Sequence, residues 1–180
     1  MADDFESFWM RVCYPGAGDE RGFFNCPEIN DEVLIAFEHG DINHPVVIGS
    51  LFNGVDKPGG SDYTASSDGS VVRRSWTSRN GHKIVILEDP GSPDDDMINL
   101  VTKSGVVMNL KDNGELFIDA KNVIMSISEN FEVSANGDFK IDAKNVKINA
   151  KSALELTASS GAKIDGGAQT EIKGGMVKLN

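Results

Sequence analysis

Three histidines, two cysteines and one run of three aspartates are the residues here whose types could hold a metal or move a proton. His39 and His44 flank a short connection between two apolar segments, and His82 stands apart from both. A zinc site needs several Cys, His or carboxylate ligands converging at set spacings, and His39 and His44 have no such companions nearby. Asp94-Asp95-Asp96 offers the oxygen ligands that Ca²⁺ prefers. It sits in a Pro- and Ser-bearing turn and reads as a hydrated acidic loop. Ser50 and Ser104 lie in no G-x-S-x-G elbow. The Gly-Gly pairs at 59–60, 166–167 and 174–175 lack the lysine pattern of a phosphate-binding loop. Cys13 and Cys26 are too few for a disulfide framework and read as free thiols. No catalytic residue, no cofactor-binding residue and no metal site is expected, and the chain does not read as an enzyme.

Composition narrows the remaining classes. The 180 residues carry 17 Lys+Arg against 28 Asp+Glu, a formal net charge of −11. An acidic surface repels a phosphate backbone, which argues against a nucleic-acid partner. No apolar run approaches the ~20 residues of a membrane-spanning helix. The opening MADDFESFWM lacks a basic n-region, so the expectation is a protein made in the cytoplasm without a signal peptide. Charge is also uneven: residues 114–180 hold nine acids and eight lysines, so nearly all of the negative charge lies before them. All six prolines lie at or before Pro93, and no aromatic follows Phe139.

The front segment reads as short strands and turns. Trp9–Val12 is a strand ending in the turn cluster Tyr14–Gly18. Glu32–Phe37 is an apolar strand, His39–Asn43 a hairpin connection, and Pro45–Ile48 the next strand. The proline sits first, where no ladder hydrogen bond is lost. Short strands of this kind suit a small closed barrel, which hides its sheet edges. Residues 53–70 are rich in Gly, Ser and Asp and read as a loop or linker.

The back half carries an internal repeat. Apolar residues occupy alternate positions in triplets: Leu116/Ile118/Ala120, Val123/Met125/Ile127, Phe131/Val133/Ala135, Phe139/Ile141/Ala143, Val146/Ile148/Ala150 and Leu154/Leu156/Ala158. Ala162/Ile164 and Val177/Leu179 continue the pattern more weakly. Triplet starts are 7, 8, 8, 7 and 8 residues apart, and Asp-Ala-Lys-Asn recurs at 119–122 and 142–145. Alternation means strands with one buried face, and a fixed period means a solenoid or fibre. Three units make about 23 residues, enough for one coil of a single-chain β-helix. The alternative is a triangular prism in which three chains each supply one face per turn. One chain could not then bury its own stripe, and folding would be coupled to trimerisation. The charged residues between the apolar ones fall on the outward side, as a solubilising face.

At this point a family resemblance emerges. Trp9–Val12, Ala17-Gly18, Gly22-Phe23, the run from Pro27 to Phe37, Gly40-Asp41 and the run from Pro45 to Asn53 resemble the OB-fold domain of contractile-tail spike proteins. That family comprises the VgrG proteins of type VI secretion, phage baseplate spikes and the spikes of extracellular injection systems. Ser78–Asp89 and Ile98–Gly105 are similar to its passage into the spike, and the resemblance covers roughly residues 7–180. In this family large hub domains and an earlier OB strand come first; the chain reads without them, as a fragment or minimal form. Asn30 stands where glycine is more usual, and asparagine is the next-best residue for a left-handed backbone.

The resemblance implies an all-β chain: a small OB-fold barrel followed by an intertwined trimeric β-helix, a triangular prism. The expected organisation is an OB collar at 1–58, a linker at 59–80, transition strands at 81–113 and the trimeric β-helix at 114–180. The trimer core is expected at Leu116, Ile118, Val123, Met125, Ile127, Phe131, Val133, Phe139, Ile141, Val146, Ile148, Leu154, Leu156, Ile164, Val177 and Leu179. The blunt C-terminal end, Met176, Val177, Lys178, Leu179 and Asn180, is expected to dock a PAAR-type tip protein by strand addition. Further implied partners are hub and tail-tube or baseplate proteins at the N-terminal end, with the target membrane met mechanically. The implied function is a membrane-piercing spike, assembled into a tail or baseplate particle and delivered outside the producing cell or into a target cell. An alternative is a trimeric tail fibre or tailspike that binds or cleaves a surface polysaccharide, which would need a carboxylate groove. A single-chain solenoid adhesin or lyase is a third reading, and it requires a folded monomer.

Overall fold

A computed structural model describes residues 9–58, 69–89 and 91–178. The chain is all-β apart from two single-turn 3₁₀ segments. It divides into two units after Ser126.

The first unit opens with five short strands, consistent with an OB domain. They are β1 (Arg11–Val12), β2 (Ala17–Gly18), β3 (Arg21–Gly22), β4 (Val33–Phe37) and β5 (Pro45–Ser50). β4 and β5 form an antiparallel hairpin with a register shift between Leu34 and Ile35, and β1 joins the other edge of β5 in parallel. The Cys13 N–H extends that pairing by donating to the Val47 carbonyl at 2.8 Å. β2 and β3 form a separate two-stranded ribbon. The expected strands at 32–37 and 45–48 are thus present, and β5 runs two residues further. Pro45 occupies the first position of β5, as its missing donor requires. The connection between β4 and β5 is a 3₁₀ turn, Glu38–Gly40, with His39 at φ +51. Asn30 has φ +80, the left-handed backbone its residue type anticipates.

A five-stranded antiparallel meander follows: β6 (Arg73–Thr77), β7 (Lys83–Leu87), β8 (Met97–Val101), β9 (Val107–Lys111) and β10 (Leu116–Asp119). β6 lies within the span read as a linker, and it pairs residue for residue with β7. Three of the four connections share one geometry. Gly81, Gly105 and Gly114 each have φ between +85 and +88. Each donates its N–H back three residues, to Ser78, Thr102 and Lys111 respectively. The N–H groups of those same three residues donate to His82, Val106 and Glu115. This is the three-residue hairpin, a type I turn closed by a glycine bulge, and Asn-Gly or Ser-Gly at each site announces it. The exception, between β7 and β8, contains the aspartate run. There the Asp96 carboxylate accepts the Asp89 N–H at 2.6 Å.

Beyond β10 the chain forms no strand or helix among its described residues. In the second unit, from Ile127, one backbone hydrogen bond is found among the described residues, from Gln169 N–H to the Gly166 carbonyl at 3.3 Å. Its side chains nevertheless sort by parity. Lys140 pairs with Asp138 at 2.9 Å, Lys163 with Asp165 at 3.5 Å and Lys173 with Glu171 at 2.6 Å. Residues two apart meet in this way when the backbone is extended. The apolar positions Phe139/Ile141, Ile164 and Ile172 have the opposite parity to these pairs, so charge and apolar surface alternate along the chain.

The accessible surface is 17086 Å², whereas a globular monomer of this mass would expose about 8,500 Å². Val47 and Val85, each 5% exposed, are the buried apolar side chains among the described residues. With 39% apolar residues in the sequence and two buried among those described, the described part of the chain encloses little of its own apolar surface.

Candidate functional site

The titratable groups do not converge on a catalytic or metal-binding constellation; among the described residues no group of three or more His, Cys, Asp or Glu could hold an ion. His44 Nδ1 lies 3.1 Å from Asp41 Oδ2 inside the β4–β5 connection. The N–H of Asn43 donates to the other Asp41 oxygen at 2.9 Å, and the Asn43 side-chain amide adds a second bond. These bonds, the backbone one foremost, hold the Asp41 carboxyl below the usual carboxylate range. His39 lies in the 3₁₀ turn of the same connection. His82 Nδ1 accepts the Lys103 N–H at 3.4 Å, joining two neighbouring hairpin turns. Cys13 and Cys26 are exposed and unpaired. Desolvation, then the neighbouring Cys26, pushes the Tyr14 phenol up, and its ring packs against Phe24 at 5.5 Å.

Two polar contacts join the front strands to the five-stranded sheet. Trp76 Nε1–H donates to Asn25 Oδ1 at 3.4 Å, and Arg79 pairs with Glu28 at 2.9 Å. A shallow recess of about 860 Å³ lies beside them, lined by Cys26, Ile29, Phe52, Trp76 and Arg79 among others. Ser78 and His82 also line it, joined by the His82 backbone N–H donating to Ser78 Oγ at 3.1 Å.

The surface at the expected core positions is instead apolar and exposed. Every described residue of the expected trimer core is exposed, from 41% at Ile118 to 79% at Leu156. Met176, Val177 and Lys178 of the expected tip-docking end are exposed too, whereas Leu179 and Asn180 lie outside the described residues. The residues of the stripe therefore do not bury one another within one chain. Leu116 and Ile118 differ from the rest in being members of a sheet, opposite Leu110 and Met108.

Reading the sequence assigned no core residues to 81–113. The register supplies them. Trp76, Ile84, Leu100, Met108 and Ile118 form one cross-strand row, and Arg74, Ile86, Ile98, Leu110 and Leu116 the row two residues along. Both rows face the same side, because side chains alternate. The intervening row, Ser75, Val85, Asn99, Asn109 and Phe117, faces the other side, with Asn99 bonded to Asn109. The shared parity of Ile84/Ile86, Ile98/Leu100 and Met108/Leu110 was the available signal. Continuous apolar runs in Ile84–Leu87 and Leu100-Val101 masked it.

An all-β chain of short front strands, a meander and unpaired alternating repeats is the class these observations define. Comparison with known proteins adds to this. Residues 1–52 match the type VI secretion system/phage-baseplate injector OB domain. The type VI secretion system spike protein VgrG2a of Pseudomonas aeruginosa is 32% identical over 56 residues, 31% of this chain and 7% of that protein. VgrG1c of the same organism, also a type VI secretion system spike protein, is 35% identical over 53 residues, 29% of this chain and 7% of the relative. The actin cross-linking toxin VgrG1 of Vibrio cholerae is 35% identical over 52 residues, 29% of this chain and 5% of the toxin. The front of the chain thus resembles the OB region of VgrG proteins, and the aligned part spans less than a tenth of each relative.

Proposed function

We propose that this chain is a structural spike element of a contractile injection machine: an OB collar continued by an intertwined trimeric β-helix. One observation carries the reading. A chain whose front matches an injector OB domain continues, beyond β10, into alternating apolar triplets from Val123 to Ala158 whose large side chains stay exposed and which form no strand pairing within one copy. Exposed stripes with charged residues at the opposite parity suit a shaft in which three chains turn their apolar side inward. Closure by three chains satisfies the strand edges that a single chain leaves open. Unfolding one strand would then disturb all three copies, giving the kinetic stability that a driven, piercing element requires.

The role is mechanical rather than catalytic. The homotrimer is assembled into a tail or baseplate particle with hub and tube or baseplate proteins at its N-terminal end. The sheath supplies the force that drives it through a target membrane. Its C-terminal end, Met176–Asn180, carries a PAAR-type tip protein by strand addition.

Light scattering on a sizing column tests the first step. A mass three times 19.4 kDa, kept on dilution, supports the spike, and a folded monomer overturns it. Deleting Met176–Asn180 tests the tip: unchanged affinity for the tip protein would remove that assignment while leaving the trimer intact.

A further inference from the structure

We propose that Asn136-Gly137 is a spontaneous modification site. Its side-chain amide is lost by attack of the following backbone nitrogen, leaving aspartate or isoaspartate between two triplets of the repeat.

Asparagine is a thermolabile residue. A following glycine has no Cβ and leaves its own nitrogen unhindered. The chain has four Asn-Gly steps, at 53–54, 80–81, 113–114 and 136–137. The dipeptide alone does not rank them; the hydrogen bonds do. At two of them the attacking nitrogen is engaged. The Gly81 N–H donates to the Ser78 carbonyl at 2.8 Å, and the Gly114 N–H to the Lys111 carbonyl at 3.1 Å. Asn113 is held a second time, its Oδ1 accepting the Glu115 N–H at 3.0 Å. At Asn53-Gly54 the electrophile is held instead. Asn53 Oδ1 accepts the Val55 and Asp56 N–H groups at 2.8 and 2.7 Å, and its Nδ2 donates to Glu32 at 2.8 Å. Such an Asx turn commits the amide to other partners. Asn136-Gly137 has neither restraint. Among the described residues neither of the two makes a hydrogen bond, and both are exposed. Nothing lies within 4 Å of where a Gly137 Cβ would stand.

The reaction needs only water. The Gly137 nitrogen gives up its proton and bonds to Asn136 Cγ; the Cγ–Nδ2 bond breaks, and ammonia carries that proton away. Water then opens the cyclic imide. Cleavage at Cγ restores the main chain and leaves aspartate. Cleavage at the Asn136 carbonyl carbon routes the main chain through Cγ and leaves isoaspartate. Either product adds a negative charge, and the second adds a carbon to the backbone. Both changes fall in the step between Phe131/Val133/Ala135 and Phe139/Ile141/Ala143.

Peptide mapping by mass spectrometry tests this on the full chain, incubated at mildly alkaline pH. Conversion at Asn136 should run roughly tenfold or more faster than at Asn53, Asn80 or Asn113, the factor that opening about one hydrogen bond is worth. In guanidinium chloride the four rates should converge, because the bonds that separate them are gone. Asn136→Gln, whose longer side chain closes a less favourable ring, should abolish the fast conversion and leave the other three rates unchanged. Similar native rates at all four steps, or a faster rate at another, overturn the proposal. So does a preference for Asn136 that persists undiminished in guanidinium chloride, which would place its cause in the sequence neighbours and not in the fold.

Discussion

Ile118 stands directly across the β9–β10 ladder from Met108, while two residues before it Leu116 faces Leu110. The first apolar triplet of the repeat is therefore also the last strand of the meander. The alternation resumes at Val123, Met125 and Ile127, shifted by one position across the polar step at Lys121-Asn122.

A charge on the apolar side of the repeat should act on assembly rather than on the isolated strand. If the proposed trimer forms, Ile141→Asp would place a carboxylate in its interior where no partner awaits it, which costs several kcal/mol. It should move the mass distribution on a sizing column from trimer toward smaller species. Lys140→Asp, one residue from Ile141 but of opposite parity, should leave the mass unchanged.

Asn30 tests the left-handed turn before β4. With φ at +80, Asn30→Gly should change the thermal midpoint little. Asn30→Val forces a β-branched residue into that region and should cost about 1–2 kcal/mol. Equal midpoints for the two variants would show that the turn relaxes at no cost.

Gly22 is the tightest backbone approach in the β2–β3 ribbon. A Cβ there would lie 2.5 Å from the Gly16 carbonyl oxygen, and φ is +144. Gly22→Ala should open the ribbon, with a loss on the order of 1–3 kcal/mol. Hydrogen exchange at the Phe23 N–H, which donates to Gly16 at 3.2 Å, should accelerate accordingly.

The β4–β5 connection should respond to acid and not to the neutral range. Asp41 is depressed, so its contribution is fully present above the ordinary carboxylate value of about 3.9 and is lost as pH falls through the folded-state value. Amide exchange at Asn43, corrected for intrinsic rates, should be flat from pH 5 to 8 and rise only in the acid limb. Asp41→Asn should abolish that limb.

Alternation was legible in the residues themselves because side-chain direction in a strand is a local property of period two. It marked the repeat, while continuous apolar runs bounded by turn residues marked β4 and β5. Turn chemistry was equally local: the glycines at 81, 105 and 114 declare their hairpins, and Asn30 its left-handed backbone. Strand pairing is not local. Nothing in Arg73-Arg-Ser-Trp-Thr77 separates it from the linker around it; it becomes a strand because the β7 edge offers ladder hydrogen bonds. β1 joins β5 in parallel rather than a sequence neighbour, for the same kind of reason. The spacing of the repeats allowed either a one-chain coil of about 23 residues or a stripe shared between chains. Only the tertiary structure decided that the described stripe finds no partner in its own chain, because burial depends on what lies across the gap, and no residue specifies that alone.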